Sequence, residues 1–255
     1  MEQLSTPIYT DMKFWSLVIS ILALVSSQWK FFTNLFRRAR VSVEPYSRMY
    51  LTHNFGAPSV DLHVIVSNTG GRNVRVRGIS LNITSSSGDS FSVRALGYFQ
   101  KPDDTQPILL TPFTLLPGDE WSHVIRCLLP NQRQDDKIIR EATSSLRAYI
   151  NDKIAQRKED EPKDWIHAEP SLVQPFLRYF ERDFRWHPDE YTMSVSIETD
   201  PPKAFVDRQY RFVLFESDTQ DLKVIVNKYD IGEGVYFTQP DTVRGVFVSL
   251  QKGNE

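Results

Sequence analysis

The chain of 255 residues contains one cysteine, Cys127, so it cannot form an intrachain disulfide bond. This excludes the small secreted domains that depend on disulfides, and it favours a reducing compartment. The chain also lacks an excess of charge of either sign, since 30 Lys and Arg residues stand against 32 Asp and Glu residues. Because proteins that bind nucleic acid usually carry a basic excess or stripe, we expect no nucleic acid partner.

The sequence also lacks the common catalytic and cofactor motifs. It contains no Walker loop, no GxGxxG, no GxSxG, no HExxH and no CxxC. Sites for phosphates, dinucleotides, hydrolytic nucleophiles and zinc therefore have no support in the sequence. We expect no catalytic residue, no cofactor and no metal, and hence a protein that is not an enzyme.

One polar group stands out between residues 167 and 190. Its members are His167, Glu169, Glu181, Asp183, His187, Asp189 and Glu190. Such residues are able to ligate a hard metal or transfer protons, but their spacing matches no known ligand pattern. Solvated charges on a helix and its exit loop are the simpler interpretation.

An apolar segment near the N-terminus is the strongest functional signal. No charged residue occurs from Phe14 to Trp29. The pattern predicts one transmembrane helix from about residue 12 to 30, and residues 1–40 as an anchor with a basic flank. The predicted membrane contacts are Phe14, Trp15, Leu17, Ile21, Leu24 and Trp29. At a rise of 1.5 Å per residue, the uncharged stretch reaches only about 24 Å of a hydrocarbon core of about 30 Å.

The flanking charges predict an orientation. Only Lys13 precedes the apolar segment, whereas Lys30, Arg37, Arg38 and Arg40 follow it. Because positive flanks stay in the cytoplasm, the N-terminus should lie outside and the C-terminal domain inside, with membrane lipid as the first partner. A cleavable signal peptide and a soluble or interfacial helix remain alternatives.

Alternating residues predict a β domain over residues 41–255. About seven short strands separated by turns are predicted up to residue 129, and further strands follow the insertion described below. A bulge at Gly78 explains why the buried parity changes between Val76 and Ile79. The runs that read as strands are 41–46, 60–66, 74–83, 91–99, 108–116, 121–129, 191–197, 210–215, 222–226 and 243–250. Two separate β domains are the alternative to a single one.

A helical insertion at about 131–190 interrupts these strands. One face of its first helix carries Ile139, Ala142, Leu146, Ile150 and Ile154. Its second helical pattern is aromatic and offers a candidate partner surface: Phe176, Tyr179, Phe180, Phe184 and Trp186. Core packing is the competing interpretation of these rings. A second candidate surface, for anionic lipid, is formed by Arg72, Arg75, Arg77 and Arg94, which also suit a solvated sheet face.

The segment VDLHVIVSNTGGRNVRVRGISLNI, followed by the turn PGDEW, resembles immunoglobulin-like β-sandwich modules. With the N-terminal helix and its basic flank, the arrangement also resembles small uncharacterised bacterial membrane-anchored proteins. The resemblance covers residues 10–130 and implies an antiparallel β-sandwich that binds or spaces and does not react. The paired cysteines of antibody domains are absent.

Taken together, these patterns predict a mainly β (α+β) fold with an N-terminal transmembrane helix and a helical insertion. The expected function is a membrane-anchored, non-enzymatic binding or scaffolding protein that presents a cytoplasmic β-sandwich. A membrane effector or sensor of bacterial anti-phage defence is one alternative, and an exported, signal-anchored binding module is another. The sequence identifies no protein partner and leaves a homo-oligomer open.

Overall fold

The structure, a computed structural model, describes residues 12–36, 38–101, 104, 106–129, 133–158, 162–202, 204–205 and 208–253, and of residues 13 and 30–36 only the backbone. The helices are α1 (Met12–Phe36), α2 (Arg133–Ala155), α3 (Pro170–Asp183) and α4 (Glu216–Lys223), with a 3₁₀ helix at Val224–Ile231. The strands are β1 (Val41–Asn54), β2 (Ala57–Asn68), β3 (Val74–Ser85), β4 (Ser90–Phe99), β5 (Ile108–Leu109), β6 (Phe113–Leu115), β7 (Glu120–Leu128), β8 (Asp189–Asp200), β9 (Arg208–Leu214), β10 (Gly245–Ser249) and β11 (Gln251–Lys252).

All of these strands belong to one antiparallel sheet, so the predicted mainly β fold is confirmed. The order is β10-β1-β2-β7-β4-β3-β8-β9-β11, with β5 beside β4 and β6 beside β3. Only Leu250 separates β10 from β11, yet β10 pairs with β1 and β11 pairs with β9. The last segment therefore bridges the two ends of the order. The sheet closes into a barrel-like structure. Its hydrogen bonds do not form the two separate layers of a sandwich.

Period-two burial fills the interior of the barrel. Along β3, Val74, Val76, Leu81 and Ile83 are buried while their neighbours face outward. The register between β3 and β8 shifts between Val76 and Gly78, which confirms the predicted bulge. The extra residue changes the parity, so that both halves of a long strand keep their apolar side chains inside.

Asn68-Thr69-Gly70-Gly71 has the composition of a tight turn, but it does not join two paired strands as a hairpin. β2 pairs with β1 and β7, and β3 pairs with β4, β6 and β8, so the segment crosses between strands that are not neighbours. The backbone N–H groups of Thr69 and Gly70 donate to the carbonyl of Arg40 at 2.9 and 3.1 Å. A Cβ on Gly70 would lie 2.5 Å from the backbone of Arg38. Glycine is therefore required at position 70 because two backbone segments approach each other closely there, and not because the chain makes a tight turn.

A hairpin that the sequence analysis missed joins β1 to β2. Phe55 and Gly56 form its two-residue loop, with φ of 48° and 91°. Two positive φ angles are typical of the type I′ turn, whose twist matches that of paired strands. A Cβ on Gly56 would lie 2.7 Å from the carbonyl oxygen of Phe180, so the turn also packs closely on α3.

Helices α2 and α3 lie between β7 and β8 and share a second core with the 3₁₀ helix. That core contains Phe55, Leu146, Ile150, Val173, Phe176 and Tyr229. Ile154, predicted on the packed face of α2, is 54% exposed. The strand predicted at residues 222–226 is wrong, because α4 and the 3₁₀ helix occupy these positions.

Helix α1 is exposed. Every described side chain along it is solvent-accessible, and only Val18 is of intermediate exposure. The predicted anchor side chains Phe14, Trp15, Leu17, Ile21, Leu24 and Trp29 are between 37% and 63% exposed. Of the helices in the described part of the chain, none combines the length and the apolar character that crossing a membrane requires.

The residues predicted to set the topology fall partly outside the described ones. Arg38 and Arg40 are exposed at the junction between α1 and β1. Arg37 and the side chain of Lys30 are not among the described parts of the structure.

Candidate functional site

The candidate site is a groove on the outer wall of the barrel, built on one cross-strand row. Tyr50 of β1 lies opposite Phe247 of β10 and, on its other side, opposite Asp61 of β2. Asp61 in turn lies opposite Arg126 of β7, which lies opposite Gly97 of β4. The antiparallel register thus brings side chains from four strands into one line, although they are distant in sequence.

Asp61 and Arg126 form the polar floor of this groove. Arg126 donates from Nε and Nη2 to the two carboxylate oxygens of Asp61 at 2.8 and 2.7 Å. Its guanidinium also lies 4.8 Å from the centre of the Phe99 ring. The hydrogen bonds to Asp61 raise the pKa of Arg126, so the guanidinium stays charged, and the two parallel hydrogen bonds fix its orientation.

Aromatic rings form the walls. The Tyr50 and Phe247 rings are 5.0 Å apart, and the Tyr46 ring lies 6.2 Å from the imidazole of His63. Tyr46 is 61% exposed and Phe247 is 64% exposed, although large aromatic side chains are usually mostly buried. Burial raises the pKa of the Tyr50 hydroxyl, and the charge of Asp61 acts in the same direction. Tyr50 is therefore a neutral hydroxyl in the groove at physiological pH.

Arg48 supplies a cation that the protein leaves without a carboxylate. Its guanidinium lies 5.4 Å from the centre of the Phe247 ring. It forms no ion pair with a residue in the described ranges. Arg48 is exposed on the same face of β1 as Tyr46 and Tyr50.

The groove has the size of a ligand site. Its volume is about 620 Å³, and Val124 and Asp104 complete its lining. Ligand pockets are typically 300–1,000 Å³ and combine apolar walls with a few convergent polar groups. A second cleft of about 530 Å³ shares Tyr50 and Arg126 with it and contains Arg244 and Thr238. The two depressions therefore adjoin along the wall of the barrel.

The predicted aromatic partner surface is not a surface in the structure. Phe176 and Trp186 are fully buried, and Tyr179 and Phe184 are at most 8% exposed. Phe180 is partly buried against the core of the barrel. These rings face inward because they join α3 to the barrel, so core packing, the competing interpretation, describes them.

The predicted arginine surface consists of outward positions on the other side of the barrel. Arg77 pairs with Asp200 at 2.6 Å, and Arg94 pairs with Glu198 at 3.3 Å. Arg75 is exposed on the same face of β3 as Arg77. Arg72 also has an interaction partner. Cross-strand pairing accounts for two of these four charges, which makes them weaker candidates than Arg48.

The polar residues between 167 and 190 do not converge on one point. His167 bonds through Nδ1 to Asp230 at 2.6 Å, and Asp183 binds Arg182 at 2.7 Å. Asp189 instead accepts a hydrogen bond from Ser86. Within the described ranges, no group of three His, Cys, Asp or Glu residues is placed to hold a metal ion.

The sequence analysis overlooked the groove, although one signal was present. Tyr46, Arg48 and Tyr50 occupy every second position of β1, which places two aromatic rings and a cation on one strand face. The other members come from β2, β4, β7 and β10, and only the register shows that they are neighbours.

Comparison of the chain with protein-family models, with curated proteins and with solved structures gives no match.

Proposed function

We propose that the protein is a membrane-attached, non-enzymatic binding protein in which α1 holds the barrel at a membrane and the groove around Arg48 and Arg126 receives the ligand. The observation that carries this proposal is the exposure of α1. Its described apolar side chains face solvent on every side over a helix of 25 residues, which is about 37 Å long.

Exposure of this kind is energetically unfavourable in water. Transferring one Leu or Ile side chain out of water contributes about 1.5–3 kcal/mol. Leu17, Ile21 and Leu24 are each more than half exposed. Exposed apolar side chains of this kind suit a membrane surface, and no described side chain of α1 belongs to the core of the barrel. Trp15 and Trp29, at the ends of the uncharged stretch, suit the interface between lipid and water.

The proposed orientation follows from the charges beside α1. Arg38 and Arg40 lie between α1 and the first strand of the barrel, and Lys13 is the one basic residue before the uncharged stretch. If α1 crosses the bilayer, the positive flank keeps the barrel and its groove in the cytoplasm. Reporter fusions after residue 255 test this, because an extracytoplasmic signal would contradict the orientation.

A binding role is favoured over catalysis because the candidate proton-transfer groups Asp61 and His63 are held in hydrogen bonds within the groove. Both carboxylate oxygens of Asp61 accept hydrogen bonds from Arg126. His63 bonds to the Ser122 hydroxyl at 2.9 Å. These hydrogen bonds fix both side chains, so the geometry favours recognition of a ligand over proton transfer.

Vesicle flotation of the full chain tests membrane attachment. Ile21→Asp with Leu24→Asp places two carboxylates in α1, each costing about 3 kcal/mol in a bilayer, and should move the protein from the floating to the soluble fraction. Leu109→Asp is the matched control, since Leu109 is 79% exposed on the barrel. Unchanged flotation of the double variant, or equal loss in the control, would contradict the proposal.

A further inference from the structure

We propose that the groove binds a small organic anion with a planar aromatic ring, of the class of a nucleoside monophosphate or an aromatic carboxylate. This inference rests on the proposed function, because it names the ligand class of the same groove. Three features of the groove support it. Arg48 is a spare cation, which means that it forms no ion pair with a described residue. The rings of Tyr46 and Phe247 are exposed, and Asp61 and Arg126 beside them neutralise each other.

The spare cation defines the anionic part of the ligand. Arg126 is neutralised by Asp61 across the row, whereas Arg48 has a ring beneath it and no carboxylate beside it among the described residues. Arg244, in the adjoining cleft, is near enough to Tyr50 to act on its hydroxyl electrostatically. Arg48 and Arg244 thus line the depressions on either side of Tyr50, and neither forms an ion pair with a described residue. A phosphate or carboxylate fits a guanidinium fork through two parallel hydrogen bonds.

The charges of the two adjoining depressions together match one anionic group. Within the groove itself, Arg48 and Arg126 balance Asp61 and Asp104, and Arg244 of the adjoining cleft adds one positive charge. With histidines not counted, the two linings together carry one net positive charge. A single anionic group on the ligand is sufficient to balance it, and a cationic ligand would meet repulsion from Arg48.

The exposed rings define the apolar part. Phe247 and Tyr46 line the groove together with Arg48, and the Tyr50 ring lies 5.0 Å from the Phe247 ring. Rings of this kind provide faces on which a planar ligand stacks, and stacking is tolerant of the identity of the ligand ring. The Phe99 ring, with the guanidinium of Arg126 4.8 Å from its centre, adds a further aromatic group to the lining.

A small ligand is favoured over a peptide strand because the groove lies on the face of the sheet. Strands β1, β2, β7 and β4 are each paired on both sides, and β10, at one end of the order, pairs with β1 on the side that faces the groove. Main-chain pairing, by which an extended peptide joins a sheet edge, is therefore not offered here.

Isothermal titration of the full chain in bilayer nanodiscs tests the ligand class. The probes are AMP, indole-3-acetate, adenosine and inorganic phosphate. We expect AMP or indole-3-acetate to bind with Kd below about 1 mM, and adenosine and phosphate to bind about tenfold more weakly, because each lacks one of the two features. The tighter binder of AMP and indole-3-acetate shows whether the anionic group of the ligand is a phosphate or a carboxylate.

Matched variants assign the binding to the groove. Arg48→Gln and Phe247→Leu should each weaken the tighter probe about tenfold. Arg75→Gln removes an exposed arginine outside the groove, so this variant should bind like the unmodified chain. All three positions are at the surface, and circular dichroism checks that each variant folds.

The outcomes separate this inference from the proposed function. Failure of both AMP and indole-3-acetate to bind, equal affinity for adenosine, or an unchanged affinity in Arg48→Gln overturns the ligand class. Flotation of the same preparation reports membrane attachment independently, so binding without flotation contradicts the attachment and leaves the ligand class supported.

Discussion

Replacing Phe55 by alanine should destabilise the protein more than its place in a surface hairpin suggests. The Phe55 side chain is 7% exposed, and its ring stacks on Phe176 at 5.2 Å and meets Tyr229 at 5.7 Å. Burying about 150 Å² of aromatic surface at about 25 cal/mol per Å² contributes about 4 kcal/mol. Truncations of buried phenylalanine cost about 3–5 kcal/mol, in agreement with that figure.

The backbone conformation of Phe55 also influences the stability of each substituted protein. Its φ of 48° lies in the left-handed region, which costs a non-glycine residue about 1 kcal/mol. Asparagine tolerates this region better than alanine does. We therefore expect Phe55→Asn to be more stable than Phe55→Ala by up to about 1 kcal/mol, although both lose the ring.

Chemical denaturation of the full chain, followed by circular dichroism, measures both differences. Phe55→Ala should lower the free energy of unfolding by about 3–5 kcal/mol and the melting temperature by about 10 °C. Phe215→Ala, at a phenylalanine that is 66% exposed, should change it by less than about 0.5 kcal/mol. A loss below about 1 kcal/mol in Phe55→Ala would refute the reasoning, since the ring would then not join the helices to the barrel.

Three further predictions concern other positions. His53 is neutral in the fold, because its Nε2 bonds to the Leu222 carbonyl at 2.8 Å while Nδ1 accepts the Gly56 N–H at 3.1 Å, and burial lowers its pKa. The unfolded state therefore binds the proton first, so the free energy of unfolding should fall as the pH drops below about 6.5, and His53→Gln should flatten that pH dependence if measured by denaturation at several pH values. Gly70→Ala should cost about 1–3 kcal/mol in the same assay, through the 2.5 Å approach of its Cβ to the backbone, and a neutral effect would contradict the close crossing. Burial raises the pKa of the Cys127 thiol, so a thiol reagent should label the native chain far more slowly than the unfolded chain, and equal rates would mean that β7 opens.

Local patterns in the sequence determined the strands and helices that depend on one face being buried. Alternation in residues 60–66 and 191–197 predicted β2 and β8, and the parity change predicted the bulge at Gly78. The helical face through Leu146 and Ile150 likewise predicted α2. These signals are readable because one buried side and one solvated side repeat with the period of the element itself.

Tertiary structure decided which strands are neighbours and what covers each face. Asn68 to Gly71 has the composition of a hairpin turn, yet hydrogen bonds to Arg40 and the pairing of β2 with β7 make it a crossing. Phe176 and Trp186 have a periodicity that suits either an exposed or a buried strip, and only the position of α3 on the barrel buries them. The groove depends on the register of five strands, because Tyr50, Asp61 and Arg126 meet only when the sheet aligns segments that are distant in the chain.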